Sequence, residues 1–77
     1  MKPLDRIHVD PAIMAGRACV KGTRITVTTL LGLLAEGQSI ERVLELYPDI
    51  SEADVRQAIA YGALLSQEQE LALTDLS

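Results

Sequence analysis

"SIERVLELYPDISEADVRQAIAYG", residues 39–62, decides how this chain folds. Ile40, Val43, Leu44 and Tyr47 recur at i, i+3, i+4 and i+7, so they share one helical face. Glu41, Arg42 and Glu45 fall on the opposite side, and Ser39 stands where an N-cap belongs. Pro48 stops this helix because its ring cannot continue the hydrogen-bond ladder. Three residues, Pro48-Asp49-Ile50, separate it from a second start signal. There Ser51 and Asp54 stand three apart as a capping box, and Glu52 suits the positive end of the helix dipole. The inward stripe of this next helix is expected to be Val55, Ala58 and Ile59, continuing to Gly62 and Ala63. Helix, brief turn and serine-capped helix make the second half of a helix-turn-helix arrangement.

Working outward, the residues before Ser39 hold one more helix. Val27, Leu30, Leu31 and Leu34 form an apolar stripe, with Thr26 as N-cap and Gly37 as the left-handed residue after the end. Upstream the period changes. "RIHV" at 6–9 reads as a short strand ended by Asp10-Pro11. In "GRACVKGTRITV", at 16–27, β-branched residues flank a Lys21-Gly22 pair suited to a turn with positive φ at the glycine. The expected fold is mainly α: a homeodomain-like three-helix bundle with a short N-terminal β arm or hairpin. Its parts are an arm over 1–26, the helices over 27–66 and a tail over 67–77, in one structural domain. Leu30, Leu34, Val43, Leu44, Val55 and Ile59 are the expected core. The tail either extends the third helix and frays, or docks Leu71, Leu73 and Leu76 on a partner chain.

Seventy-seven residues leave room for one core, and so small a domain commonly gains stability from disulfides, a metal or an oligomer. A lone Cys19 cannot form an internal disulfide, and a single His8 beside it falls short of a zinc tetrad. Self-association or a bound partner is therefore expected, with no metal and no cofactor. The apolar runs are too short to cross a bilayer and the N-terminus lacks a signal-type apolar region, so the expected compartment is the cytoplasm. Charge is unevenly spread. Residues 1–30 carry Lys2, Arg6, Arg17, Lys21 and Arg24 against Asp5 and Asp10, a balance of +3. Residues 31–77 carry Arg42 and Arg56 against nine acids, a balance of −7. A basic head on an acidic body invites an oppositely charged partner.

No catalytic constellation stands out. "GRACVKGTR", at 16–24, has a glycine, a lysine and a threonine, as a phosphate-binding loop does. Its Lys21-Gly22-Thr23 order swaps the lysine and glycine of the required Gly-Lys-Thr, and "DPAIMA" before it is no buried strand. His8 and Asp10 can share a face of a strand, but two ligands do not hold a metal against water, so His8 is expected to be exposed. Cys19 sits among apolar residues and is expected to be a small buried hydrophobe. Glu41, Glu45, Glu52 and Asp54 are accounted for as solvated or helix-starting acids.

In a helix-turn-helix the first turns of the last helix face DNA, which makes Arg56 and Gln57 candidate base readers. Arg42, Lys21 and Arg24 are the accompanying DNA-binding candidates. Glu52 and Asp54 oppose phosphate, so such a reader needs dimerisation or the basic arm. Arg17, Lys21, Arg24, Leu71, Leu73 and Leu76 are the candidates for partner binding or self-association.

In combination, Asp10-Pro11, Gly16, Gly22-Thr23-Arg24-Ile25, Val27, Gly37, Tyr47-Pro48 and "DVRQAIAY" from Asp54 to Tyr61 resemble the prokaryotic domain-of-unknown-function family 433. The resemblance covers Ile7 to about Leu65; Ala18 and Thr26 stand where that family commonly has proline. It implies a homeodomain-like domain acting as an antitoxin of a toxin–antitoxin pair. Such a protein binds and silences a PIN-like ribonuclease toxin, and its own promoter DNA is a second expected ligand. A stand-alone dimeric DNA-binding regulator and a homo-oligomeric interaction module are the alternatives.

Overall fold

Three side-chain hydroxyls set where the helices begin. The Thr26 Oγ accepts from the Thr29 N–H, Ser39 from Arg42 and Ser51 from Asp54, each satisfying a donor with no partner inside its helix. The helices that follow are α1 (Val27–Ala35), α2 (Ile40–Leu46) and α3 (Glu52–Ser66) in a computed structural model that describes residues 4–67. At Ser51 the capping box is complete, because the Asp54 carboxylate also accepts the Ser51 N–H. Past α1, Gly37 takes φ +96, and the N–H groups of Gly37 and Gln38 return to the carbonyls of Leu34 and Leu33. That pair of bonds is a Schellman ending, and it turns the chain directly into α2.

Before α1, β1 (Ile7–His8) and β2 (Cys19–Val20) pair antiparallel, Ile7 opposite Val20 and His8 opposite Cys19. Gly22, with φ +80, closes a turn in which the Thr23 N–H reaches the Val20 carbonyl. The Thr23 hydroxyl donates to that same carbonyl and accepts the Ile25 N–H, so the turn is held twice. Two residues per strand make no sheet layer, yet the arm is built into the core. Val20 belongs to the same buried cluster as Val27, Leu30, Val43, Ile50, Val55 and Ala58, with Ile7, Ala18 and Ile25 packed against it.

Leu30, Val43 and Val55 are fully buried, while Leu34 and Leu44 are half-buried at the edge of the cluster. Ile59 departs from expectation: it is 41% exposed. The physical reason lies at Gly62, where a Cβ would stand 2.6 Å from Cδ1 of Leu31. Leu31 of α1 thus packs where α3 has no side chain, and the residues of α3 that face inward are Val55, Ala58, Tyr61 and Gly62. Ile59 is turned away from that line, and Ala63 with it. Ile50, in the turn between α2 and α3, fills core space that periodicity did not assign to it. Leu71, Leu73 and Leu76 lie outside the described residues.

Candidate functional site

The polar chemistry of the arm falls into two places, the start of α3 and a cleft beside the Gly22 turn. At the first, Arg6 is held to β2 by the Lys21 N–H, which donates to the Arg6 carbonyl at 2.7 Å. The Arg6 N–H donates in turn to Oε1 of Gln57 at 2.8 Å, and Nε2 of Gln57 donates to the Asp5 carboxylate at 2.9 Å. Arg6 also reaches Asp54, Nη1 to Oδ1 at 3.3 Å. Asp54 is 8% exposed and thus serves both the α3 cap and the arm. The Gln57 amide holds the Asp5 carboxyl below its ordinary range, and the charges of Arg6 and Lys21 act in the same direction.

These contacts decide what α3 presents to solvent. Gln57 is engaged at both ends of its amide by the arm, so its base-reading atoms are occupied within the chain. Arg56 is exposed but tied to Glu52 one turn earlier, Nε to Oε2 at 2.8 Å. Arg42 pairs with Glu45 at 3.7 Å on the outer face of α2. Glu41 in the first turn of α2, Asp49 in the α2–α3 turn and Ala53 in the first turn of α3 are also exposed. Over α2 and α3 the exposed acids Glu41, Glu45, Asp49 and Glu52 outnumber the arginines, and both arginines already have carboxylate partners.

The second place is an open cleft of ≈ 360 Å³ lined by His8, Asp10, Ile13, Arg17, Cys19 and Gly22 together with Thr23 and Arg24. Cys19 is buried at 2% exposure, and its thiol lies 3.4 Å from the Arg17 carbonyl. His8 is exposed and faces Asp10 at 3.9 Å. Between two of the cleft's lining residues, Ile13 and Arg17, runs a single 3-10 turn, Met14–Gly16, in which φ is +50, +56 and +79. Two of those residues carry a Cβ, which costs roughly 1–2 kcal/mol each in this region. The turn is held by hydrogen bonds from the Gly16 N–H to the Ile13 carbonyl and from the Arg17 N–H to the Met14 carbonyl. Asp10 anchors its entry by accepting the Ala12 N–H.

Arg17 and Arg24 thus meet at one cleft, while Lys21, two residues before Thr23, is exposed and is not among its lining residues. Arg42, Arg56 and Gln57 lie on the helical half, each engaged as described. Asp5 and Arg6 were missed by sequence reasoning as site residues. Their partners are 48 to 52 residues away, and no local pattern marks such a pairing.

The profile of DUF433, described as "Protein of unknown function", matches residues 7–62, from β1 to the point where α3 touches α1. The chain belongs to the DUF433 family. A DUF433 member protein from Anabaena variabilis ATCC 29413, of solved structure, is similar with a TM-score of 0.76 and 25% sequence identity. That similarity covers 90% of this chain and 68% of the Anabaena chain. In sequence, the chain is 37% identical over 53 residues to "Uncharacterized protein y4eO" of Sinorhizobium fredii (strain NBRC 101917 / NGR234). The match takes in 69% of this chain but 24% of that relative, so the DUF433 chain spans about a quarter of its length.

Proposed function

We propose that this DUF433 chain is a non-enzymatic protein-binding module of the cytoplasm, an antitoxin that binds and masks a PIN-like ribonuclease toxin. The observation that carries a protein ligand over DNA is the engagement of the start of α3 by the arm. Gln57 is bound to Asp5 and Arg6, and the exposed acids of α2, the following turn and the start of α3 are Glu41, Glu45, Asp49 and Glu52, with Arg42 and Arg56 paired to two of them. A polyanion gains little from such a surface, since affinity for DNA grows with each phosphate that a free cation neutralises. A ribonuclease shaped to hold RNA presents cations, and acidic helices complement them. The antitoxin role itself rests on the family resemblance over Ile7 to about Leu65, and regulation of its own promoter is a secondary part of the same reading.

Co-expression with the product of the neighbouring gene tests it. The expected result is a complex that co-purifies and relief of that protein's ribonuclease toxicity, both weakened when Glu41 and Glu45 are changed to Lys. A sequence-specific gel shift by the chain alone, with no complex formed, would instead make it a stand-alone DNA-binding regulator and sink the proposal.

A further inference from the structure

The cations of the described residues divide cleanly. Of the six lysines and arginines among the described residues, Arg6, Arg42 and Arg56 each sit in an ion pair. Arg17, Lys21 and Arg24 sit in none among the described residues, and two of these three line the cleft beside the Gly22 turn. The one acid of that cleft, Asp10, is already engaged: it accepts the Ala12 N–H and faces His8. The cleft is therefore cationic; Ile13 and Arg17, which line it, flank the hydrogen-bonded Met14–Gly16 turn, and Gly22 and Thr23 come from the Val20–Thr23 turn. It is apolar as well. Ile13 lines it, and the exposed side chains of Val9 and Met14 belong to residues adjoining its lining. Bare phosphate or a nucleic-acid backbone would use the arginines and leave the apolar part unmatched. A peptide carrying carboxylates among aliphatic residues matches both.

The chain itself contains such a peptide. Residues 67–77, "QEQELALTDLS", carry Glu68, Glu70 and Asp75 interleaved with Leu71, Leu73 and Leu76, and no lysine or arginine. The helix that leads into them, α3, ends with Leu64 and Leu65 exposed, the latter at 60%, an apolar surface that a second copy can cover. We propose that the Arg17–Arg24 cleft is a recognition site for an acidic, leucine-bearing peptide, and that residues 67–77 of a second copy occupy it. Two copies exchanging these segments make a closed two-fold dimer, in which each cleft is completed by the other chain. The interaction is separate from toxin binding and stands or falls without it.

A charge swap in full-length chains tests the assignment. Variant A is Arg17→Glu with Arg24→Glu; variant B is Glu68→Lys with Glu70→Lys. Sedimentation equilibrium is expected to show a wild-type dimer that dissociates as salt rises from about 0.05 M to about 0.5 M, where screening shortens to a few ångström. Variants A and B alone should each associate at least about tenfold more weakly, because like charges then face each other. Mixed, they should form a heterodimer, since A's cleft meets B's segment and B's cleft meets A's. Far-UV circular dichroism confirms that each variant is folded; if variant A is not, Arg24→Ala with the salt series takes its place. A monomeric wild type, a dimer indifferent to variant A, or a mixture that stays monomeric would each overturn the proposal.

Discussion

Replacing Asp54 by Ala should be among the most damaging changes available at a charged residue of this chain. Its Oδ2 accepts the Ser51 N–H at 2.8 Å and lies 3.2 Å from the Ser51 hydroxyl, while its Oδ1 meets Arg6 at 3.3 Å. A hydrogen bond to an ionised acceptor contributes about 1.5–3 kcal/mol, and its loss leaves the Ser51 N–H without its partner at the head of α3. The Arg6 pair adds less, because the Arg6 side chain is 48% exposed; such pairs contribute at most about 1 kcal/mol. The sum is about 1.5–4 kcal/mol, a roughly 10- to 900-fold fall in the folded-to-unfolded ratio of a domain whose total stability is only about 5–15 kcal/mol. Urea unfolding followed by circular dichroism reads this directly as a lower midpoint at unchanged slope. Arg6→Ala, measured alongside, should cost no more than about 1 kcal/mol. If Asp54→Ala costs under about 0.5 kcal/mol, or if Arg6→Ala matches it, the assignment of the main contribution to the cap is wrong.

Two further outcomes follow from the packing and from the arm. Leu30→Ala, at a fully buried position, should cost about 2–5 kcal/mol, whereas Ile59→Ala should cost under about 1 kcal/mol; equal losses in denaturant melts would contradict the outward placement of Ile59 on α3. Gln57→Leu should raise the titration midpoint of Asp5 towards its ordinary value of 3.8, because the Gln57 amide is the largest influence holding it down. Since the folded value is the lower one, this contact contributes fully above the ordinary value and fades as pH falls through the folded one, so the arm should loosen only in acid. Carboxyl resonances followed by NMR check this, and an unmoved Asp5 midpoint in the variant would count against the contact.

The helices were legible because their signals are local. Thr26, Ser39 and Ser51 mark the starts by satisfying backbone donors three residues on, and Gly37 and Pro48 mark the ends by their own backbone limits. The Gly22 turn was legible for the same reason. What the arm does was not. Sequence reasoning divided the chain at residue 26, yet Val20 lies in the core and Asp5 and Arg6 close over α3. Gln57 looked free to read a base, and only the fold brings its partners to it. Ile59 and Ala58 are adjacent in one apolar stripe, and a helical period accurate to a residue still leaves the rotation of α3 open by about 100°. That choice belongs to contacts distant in sequence, among them the packing of Leu31 at Gly62, 31 residues apart.

Alone, the sequence determined the three helices, their caps and turns, and the segregation of a basic head from an acidic body, since all of these depend on neighbours along the chain. The tertiary structure decided which cations are consumed within the molecule and which remain at a cleft. Charge pairing depends on distances in space, and only the packed core sets those.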